Sequence, residues 1–396
     1  MIKRDIAPEL LESSREYPVV TLFGPRQSGK TVLAQQCFPD KPYFLLEDPD
    51  TRLAAETDPR GFLSQMPNGA ILDEIQRLPI LLSYLQGIVD KAQQPGMFIL
   101  TGSHQPDLHT AVSQSLAGRT ALLTLLPLTL EEIRQVQPEL DVFELIYQGA
   151  FPRLHSQQLQ PNRFFNGYLQ TYVERDVRAI LNIKDLSRFQ QFLVLLAGRV
   201  GQVVNYSSLG NDVGVSSTTI QHWVSVLKAS YILFELPPFF ANIRKRVIKS
   251  PKLYFTDTGL AAFLLGIQSA EQVARDPLRG NLYENLMILE ILKAHLNRGL
   301  RPDLYFYRDS QGNEVDLLIR QRQGLLPVEI KSSATFSPAF LKGIDTFRAV
   351  SPDCLPNGIV LYNGEQTHQI GQTRVLNLTR EKQGLAAQGL AAWAMA

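Results

Sequence analysis

Gly24-Pro25-Arg26-Gln27-Ser28-Gly29-Lys30-Thr31 carries two glycines, a lysine and a hydroxyl at the spacing that holds a triphosphate. Glycines let the backbone curl until its N–H groups face phosphate oxygens. Lys30 then reaches the β- and γ-phosphates, and Thr31 offers its hydroxyl to Mg²⁺. A second run, Ala70-Ile-Leu-Asp73-Glu74, is an apolar strand ending in two acids. That ending brings Asp73 to Mg²⁺ and leaves Glu74 to activate the attacking water. A third, Leu100-Thr-Gly102-Ser103, ends in a hydroxyl that can bond the γ-phosphate or the water. Together these residues describe an enzyme that binds and hydrolyses ATP·Mg²⁺.

Such a site needs strands that end beside one another. Val19–Phe23, Tyr43–Leu46, Ala70–Leu72, Met97–Thr101 and Thr120–Leu126 are short apolar runs separated by helical stretches. That alternation predicts an α/β fold with a parallel sheet covered on both faces. The phosphate-binding motif leaves the first of these strands and enters a helix, the context it requires.

The whole chain of 396 residues is long enough for two or three domains. Its 44% hydrophobic content supports packed cores, and a net charge of +1 excludes a global field for nucleic acid. Cys37 and Cys354 fit neither a disulfide framework nor a zinc motif. No signal peptide or membrane-spanning run is evident, so a cytoplasmic, membrane-free protein is expected.

Over residues 15 to 185 the chain resembles the AAA+ ATPases, in their archaeal-ATPase-like and STAND-like branch. The resemblance implies that Ser103 stands at the sensor 1 position and that Gly149-Ala-Phe-Pro152 is a lid element beside the base. It also offers Arg119 as a γ-phosphate-sensing or finger arginine.

Asn205 to Lys228 reads as helix, turn, helix, with Ser207 or Ser208 as one N-cap, Gly214 at the turn and Ser216 or Ser217 as the next cap. A strand follows, then Pro237-Pro238, and then a basic stretch leading to Lys252-Leu-Tyr-Phe. The segment looks like a winged helix. Across 205–252 the basic residues are Lys228, Arg244, Lys245, Arg246, Lys249 and Lys252, against only Asp212 and Glu235. Such a patch on a near-neutral protein predicts phosphate contacts, and DNA is the expected partner. A homo-oligomer is a further candidate assembly.

Beyond residue 280 comes a helix carrying Glu284, then strands carrying Asp316 and Glu329-Ile-Lys331. Residues two apart in a strand share a face, so Glu329 and Lys331 point the same way. These residues resemble the PD-(D/E)xK nucleases. The resemblance implies that Asp316 and Glu329 hold Mg²⁺, that Lys331 positions or activates water, and that Glu284 assists from the helix.

The expected architecture is an ATPase core over 1–127, a helical lid over 128–185 and a winged helix over 186–250. A nuclease-like α/β domain follows over 251–383, with a tail over 384–396. Tyr172-Val-Glu-Arg-Asp176 and Leu253-Tyr-Phe-Thr-Asp257-Thr-Gly add to the likeness with a widespread prokaryotic group built this way. The expected function is ATP turnover coupled to DNA binding or processing. The alternative is a nucleotide-dependent switch whose nuclease-like domain does not cleave.

Overall fold

The computed structural model describes residues 2–103, 112, 114–172, 185–239 and 250–379. The chain divides into two compact units. One comprises residues 1–128 with 229–232 and 296–300; the other comprises 129–228, 233–295 and 301–396.

In the first unit, five strands among the described residues form one sheet. They are β1 (Val19–Gly24), β2 (Tyr43–Leu45), β3 (Ala70–Asp73), β4 (Phe98–Ser103) and β5 (Thr120–Thr124), in the order β2-β3-β4-β1-β5. All neighbouring pairs are parallel. Every residue of β1, β3 and β4 is buried. Alternate side chains point to opposite faces, and the core divides accordingly. Phe23, Leu72 and Leu100 pack on one face with Leu85 of the helix Leu81–Ala92. Leu22, Ile71 and Ile99 pack on the other with Leu33 of the helix Lys30–Cys37. Truncating one of these residues, for example Ile99→Ala, costs about 2–5 kcal/mol.

The parallel register decides what meets at the strand ends. Gly24 lies opposite Ser103, and Leu45 opposite Asp73. The C-termini of β1, β3 and β4 therefore converge on one edge, where open α/β sheets bind ligands.

The second unit contains the helices Leu186–Ala197, Tyr206–Val213 and Ser217–Ala229, followed by the antiparallel hairpin β6 (Leu233–Leu236) and β7 (Lys252–Phe255). The cap of Tyr206–Val213 differs from expectation. Asn205, rather than Ser207 or Ser208, accepts the Ser208 N–H at 2.9 Å. Gly214 ends that helix in the left-handed region, and Ser216 accepts the Thr219 N–H at 3.1 Å. The expected boundary at residue 250 falls inside the hairpin, whose strands pair Leu233 with Phe255.

A mixed sheet completes this unit among the described residues, in the order β12-β13-β11-β10-β9-β8. Its strands are β8 (Leu304–Arg308), β9 (Glu314–Gln321), β10 (Gly324–Lys331), β11 (Gly358–Tyr362), β12 (His368–Ile370) and β13 (Thr373–Leu376). β8, β9 and β10 form an antiparallel meander. The helix Lys342–Val350 then carries the chain to β11, parallel to β10.

The motifs Gly149–Pro152 and Leu253–Gly259 meet in this unit. Asp257 accepts the Ala150 N–H at 2.7 Å and caps the helix Thr258–Leu264 by accepting the Leu260 N–H at 3.0 Å. A Cβ on Gly149 would lie 2.4 Å from Asp257 Oδ1, so only glycine fits there. Burial raises the Asp257 pKa against three backbone N–H donors, among them those of Ala150 and Leu260.

Candidate functional site

The phosphate-binding loop is built by conformations that few residues adopt. Gln27 and Gly29 have φ of 64° and 94°. A Cβ on Gly24 would sit 2.1 Å from the Leu125 carbonyl oxygen, which explains the glycine at the strand exit. The N-terminal arm fastens the loop from outside. Arg4 donates to the Ser28 carbonyl at 2.7 Å and to the Leu126 carbonyl at 2.8 Å. Nothing in the sequence motif points to Arg4, because its partners are backbone atoms.

Lys30 is buried and donates to the carbonyls of Gly24 (3.1 Å) and Pro25 (2.8 Å). Burial lowers its pKa to about 8, partly opposed by Glu74 and Asp73. Its ammonium is thus satisfied by neutral oxygens that a phosphate can replace.

The acids stand where the strand ends require. Thr31 donates to Asp73 Oδ2 at 2.8 Å, Tyr43 donates to the same oxygen at 2.7 Å, and Thr101 donates to Oδ1. Burial first, then the bond to Asp73, raises the Tyr43 pKa, so Tyr43 remains a donor. Glu74 lies in the left-handed region at φ 59°, a conformation that costs a non-glycine residue about 1–3 kcal/mol. Gln76 donates to Glu74 and, at 2.9 Å, to Ser103; Ser103 donates to Glu74 at 3.2 Å. Sequence reasoning missed Tyr43, Thr101 and Gln76. The one available signal was Gln76, two residues beyond Glu74.

Thr31 and Asp73 share one hydrogen bond between neutral donor and carboxylate, and both are oxygen ligands of the kind Mg²⁺ takes. The residues therefore fit a nucleotide with its metal. Nearby, Arg26 and Arg77 both approach Glu47, at 4.0 Å and 2.6 Å.

Arg119 requires a correction. It precedes β5, and Thr120 pairs with Val19 at the start of β1. The loop leaves the other end of β1, roughly 16 Å away at about 3.3 Å per residue. Arg119 donates to Asp90 at 2.9 Å on the surface. From there it senses no phosphate held by this chain's own loop.

In the second unit, Asp316, Glu329 and Lys331 come together on adjacent antiparallel strands. Lys331 donates to Asp316 at 2.9 Å and to Glu329 at 2.5 Å. Asp316 also accepts the Ile330 N–H at 2.8 Å. Burial opposes the Asp316 carboxylate, but Lys331 and Lys252 outweigh it and hold its pKa below the usual range. Burial and the nearby Asp316 push the Glu329 pKa up to about 9. Its second oxygen, Oε1, is buried without a partner. Gly343 makes room for it, since a Cβ there would lie 1.9 Å from that oxygen.

The Mg²⁺ expected at Asp316 and Glu329 does not fit this arrangement. Lys331 bonds both carboxylates, and Glu284 is paired with Lys252 at 2.9 Å.

Of the expected DNA-contacting residues, Arg244, Lys245, Arg246 and Lys249 lie outside the described residues, as do Val173 to Asp176 and the tail from residue 384. Lys228 and Lys252 are engaged by acids: Lys228 bonds Glu235, and Lys252 bonds Glu284. On the helix Ser217–Ala229, Thr218, Gln221, His222 and Ser225 are exposed along one face. No helix among the described residues is long and apolar enough to cross a membrane.

Three family models match the chain. An AAA domain covers residues 16–134, and domains of unknown function cover 139–271 (DUF8612) and 279–380 (DUF4143). The Walker-type ATPase of Pyrococcus abyssi is similar at 16% identity and a TM-score of 0.42, over 67% of this chain and 96% of that one. Uncharacterized proteins of Mycobacterium tuberculosis and Mycobacterium bovis are each 33% identical over 340 residues, which is 84% of this chain and 74% of theirs. The chain belongs to the same family as these mycobacterial proteins, and its N-terminal part is an AAA-type P-loop ATPase domain.

Proposed function

We propose that the chain hydrolyses ATP·Mg²⁺ at the loop Gly24–Thr31 and couples turnover to DNA binding by its second unit. The observation that carries this reading is the convergence of Thr31, on the helix that follows β1, with Asp73, Glu74 and Ser103 at the ends of β3 and β4. Lys30 exchanges the Gly24 and Pro25 carbonyls for phosphate oxygens. Thr31 and Asp73 would hold Mg²⁺, which when bound would supply charge neutralisation at the phosphates. Glu74 accepts a proton from the attacking water, and Ser103 with Gln76 orients the Glu74 carboxylate.

The central helices and hairpin act as a winged helix in this reading. Support comes from three helices followed by β6 and β7, with Val203 adding a bridge to Lys252. The exposed face of Ser217–Ala229 offers side chains of the types that contact bases and phosphates. We read the last domain as nuclease-like, from Asp316 and Glu329-x-Lys331 on facing strands. The lysines bound to its carboxylates favour a binding role over cleavage.

The test is phosphate release with and without duplex DNA, in the wild type and in Arg244→Glu/Lys245→Glu/Arg246→Glu. Stimulation by DNA is expected, and it should fall in the triple variant. Each lost phosphate contact should remove about 0.9 from the slope of log affinity against log salt. ATP turnover indifferent to every DNA form would overturn the coupling and leave a nucleotide-dependent switch.

A further inference from the structure

Four carboxylates gather in the second unit: Glu284 on the helix Arg279–Leu296, Glu314 and Asp316 on β9, and Glu329 on β10. Metal-dependent phosphodiester chemistry needs such oxygens free for a divalent ion. Here a lysine from another element has reached them first.

Lys252 opens β7, outside the strands that carry the acids. Its side chain is 2% exposed. Its ammonium lies 2.9 Å from Glu284 Oε1 and 2.6 Å from Glu314 Oε1, and 5.5 Å from the centre of the Phe306 ring. Tyr254, two residues on and so on the same face of β7, donates to the same Glu284 oxygen at 2.5 Å. The other arm of the hairpin is fastened to the same sheet. Phe239 N–H donates to the Phe306 carbonyl at 2.7 Å, and Phe306 N–H donates to the Pro237 carbonyl at 3.0 Å. The hairpin is therefore held on both arms, and Lys252 is delivered to one place.

Burying an ammonium is costly unless it is paired or hydrogen-bonded. Burial lowers the Lys252 pKa, but Glu284, Asp316 and Glu314 outweigh it and raise the value above that of an ordinary lysine. Arg308 lies 3.5 Å from the second Glu314 oxygen, and Lys331 covers Asp316 and Glu329. Cations thus face the cluster from β7, β8 and β10.

We propose that Lys252 is the resident cation of this carboxylate cluster, supplied by the hairpin between Glu284 and Glu314, where a divalent metal would otherwise bind. The proposal takes its choice of ion from the nuclease-like reading of the domain, and the experiment separates the two.

The probe is Mn²⁺, titrated into the full chain and followed by the loss of the free-ion electron paramagnetic resonance signal. Asp73→Asn serves as the parent, because it silences the metal site of the P-loop. The parent should bind no stoichiometric Mn²⁺. Adding Lys252→Met should create one site per chain, at least about tenfold tighter than any binding in the parent, since ligand charge sets affinity for hard cations. Adding Glu284→Gln should remove it again. A site lost on Glu284→Gln but kept on Asp316→Asn would support the resident cation and sink the nuclease-like reading. If Lys252→Met does not fold, the parent titration decides alone. A stoichiometric Mn²⁺ site in the parent that Glu284→Gln abolishes would overturn the proposal. A folded Lys252→Met chain that gains no site would overturn it as well.

Discussion

In the P-loop cluster, Lys30 bonds backbone carbonyls, and Asp73 and Glu74 are held by hydroxyls and an amide. In the second unit, Lys331 and Lys252 bond the carboxylates themselves. Both clusters contain acids and lysines within a few residues of strand ends, so their compositions look alike. Their electrostatics differ. A hydroxyl or amide satisfies a carboxylate's hydrogen bonding but leaves its charge in place, and that charge still attracts a cation. An ammonium ion cancels it. The titration behaviour follows the same division. Lys30, without a bonded acid, has its pKa depressed to about 8 by burial. Lys331, bonded to two acids, has its pKa raised above the ordinary value in spite of burial. The two clusters differ in where the nearest lysine spends its donors.

The largest effect should come from Glu74. Glu74→Gln should lower ATP turnover by about 10²–10⁴-fold, the range for a lost general base, with nucleotide binding retained. Normal phosphate release by this variant would break the contrast, because Glu74 would then not be the base.

Lys30→Ala comes next. Removing a buried charged partner costs about 2–5 kcal/mol, so ATP should bind at least thirtyfold more weakly. Equilibrium titration with a fluorescent nucleotide reads this directly. Unchanged affinity would mean that Lys30 stays on the Gly24 and Pro25 carbonyls when nucleotide binds.

A smaller effect sharpens the same point through pH. Lys30 must be protonated to meet a phosphate, and its pKa lies near 8. ATP affinity should therefore fall by about tenfold between pH 7 and pH 9, with proton uptake on binding. Calorimetry in buffers of different ionisation heat would detect the proton. Lys30→Arg should flatten the dependence.

Glu329 should act on stability rather than on turnover, with a sign of its own. Its folded pKa lies near 9, above the ordinary glutamate value of 4.5. The folded chain therefore holds a proton that the unfolded chain releases between those values. That stabilisation is complete below 4.5 and lost as pH rises toward 9. Thermal melting should fall across this window by about 2–4 °C per kcal/mol lost. Glu329→Gln, which cannot ionise, should flatten the slope. An unchanged slope would show that Glu329 is ionised in the fold.

The parts of the site that were legible in the sequence are contiguous. Gly24 to Thr31 states its own backbone shape, and Asp73-Glu74 and Ser103 follow apolar runs that could only be buried strands. The same logic made Glu329-x-Lys331 visible, since alternation along a strand is a local rule. Tyr43 and Thr101 were not legible, because each is an ordinary residue until strand pairing brings it to an acid; Gln76 carried one signal, its place two residues beyond Glu74. Arg4 was hidden for a related reason: its partners are carbonyls, which every residue has. Arg119 was offered by the resemblance alone; because it precedes β5 in a parallel sheet, it stands at the edge opposite this chain's own loop.

By itself the sequence determined the α/β alternation, the P-loop and the acids at the strand ends. These follow from backbone preference and from the period of the side chains, both of which act over a few residues. Only the tertiary structure decided which charges cancel. Lys252 and Glu284 are far apart in the chain and lie 2.9 Å apart in the fold. Coulomb energy depends on that distance and on the burial around it, and neither is written in the spacing of residues along a chain.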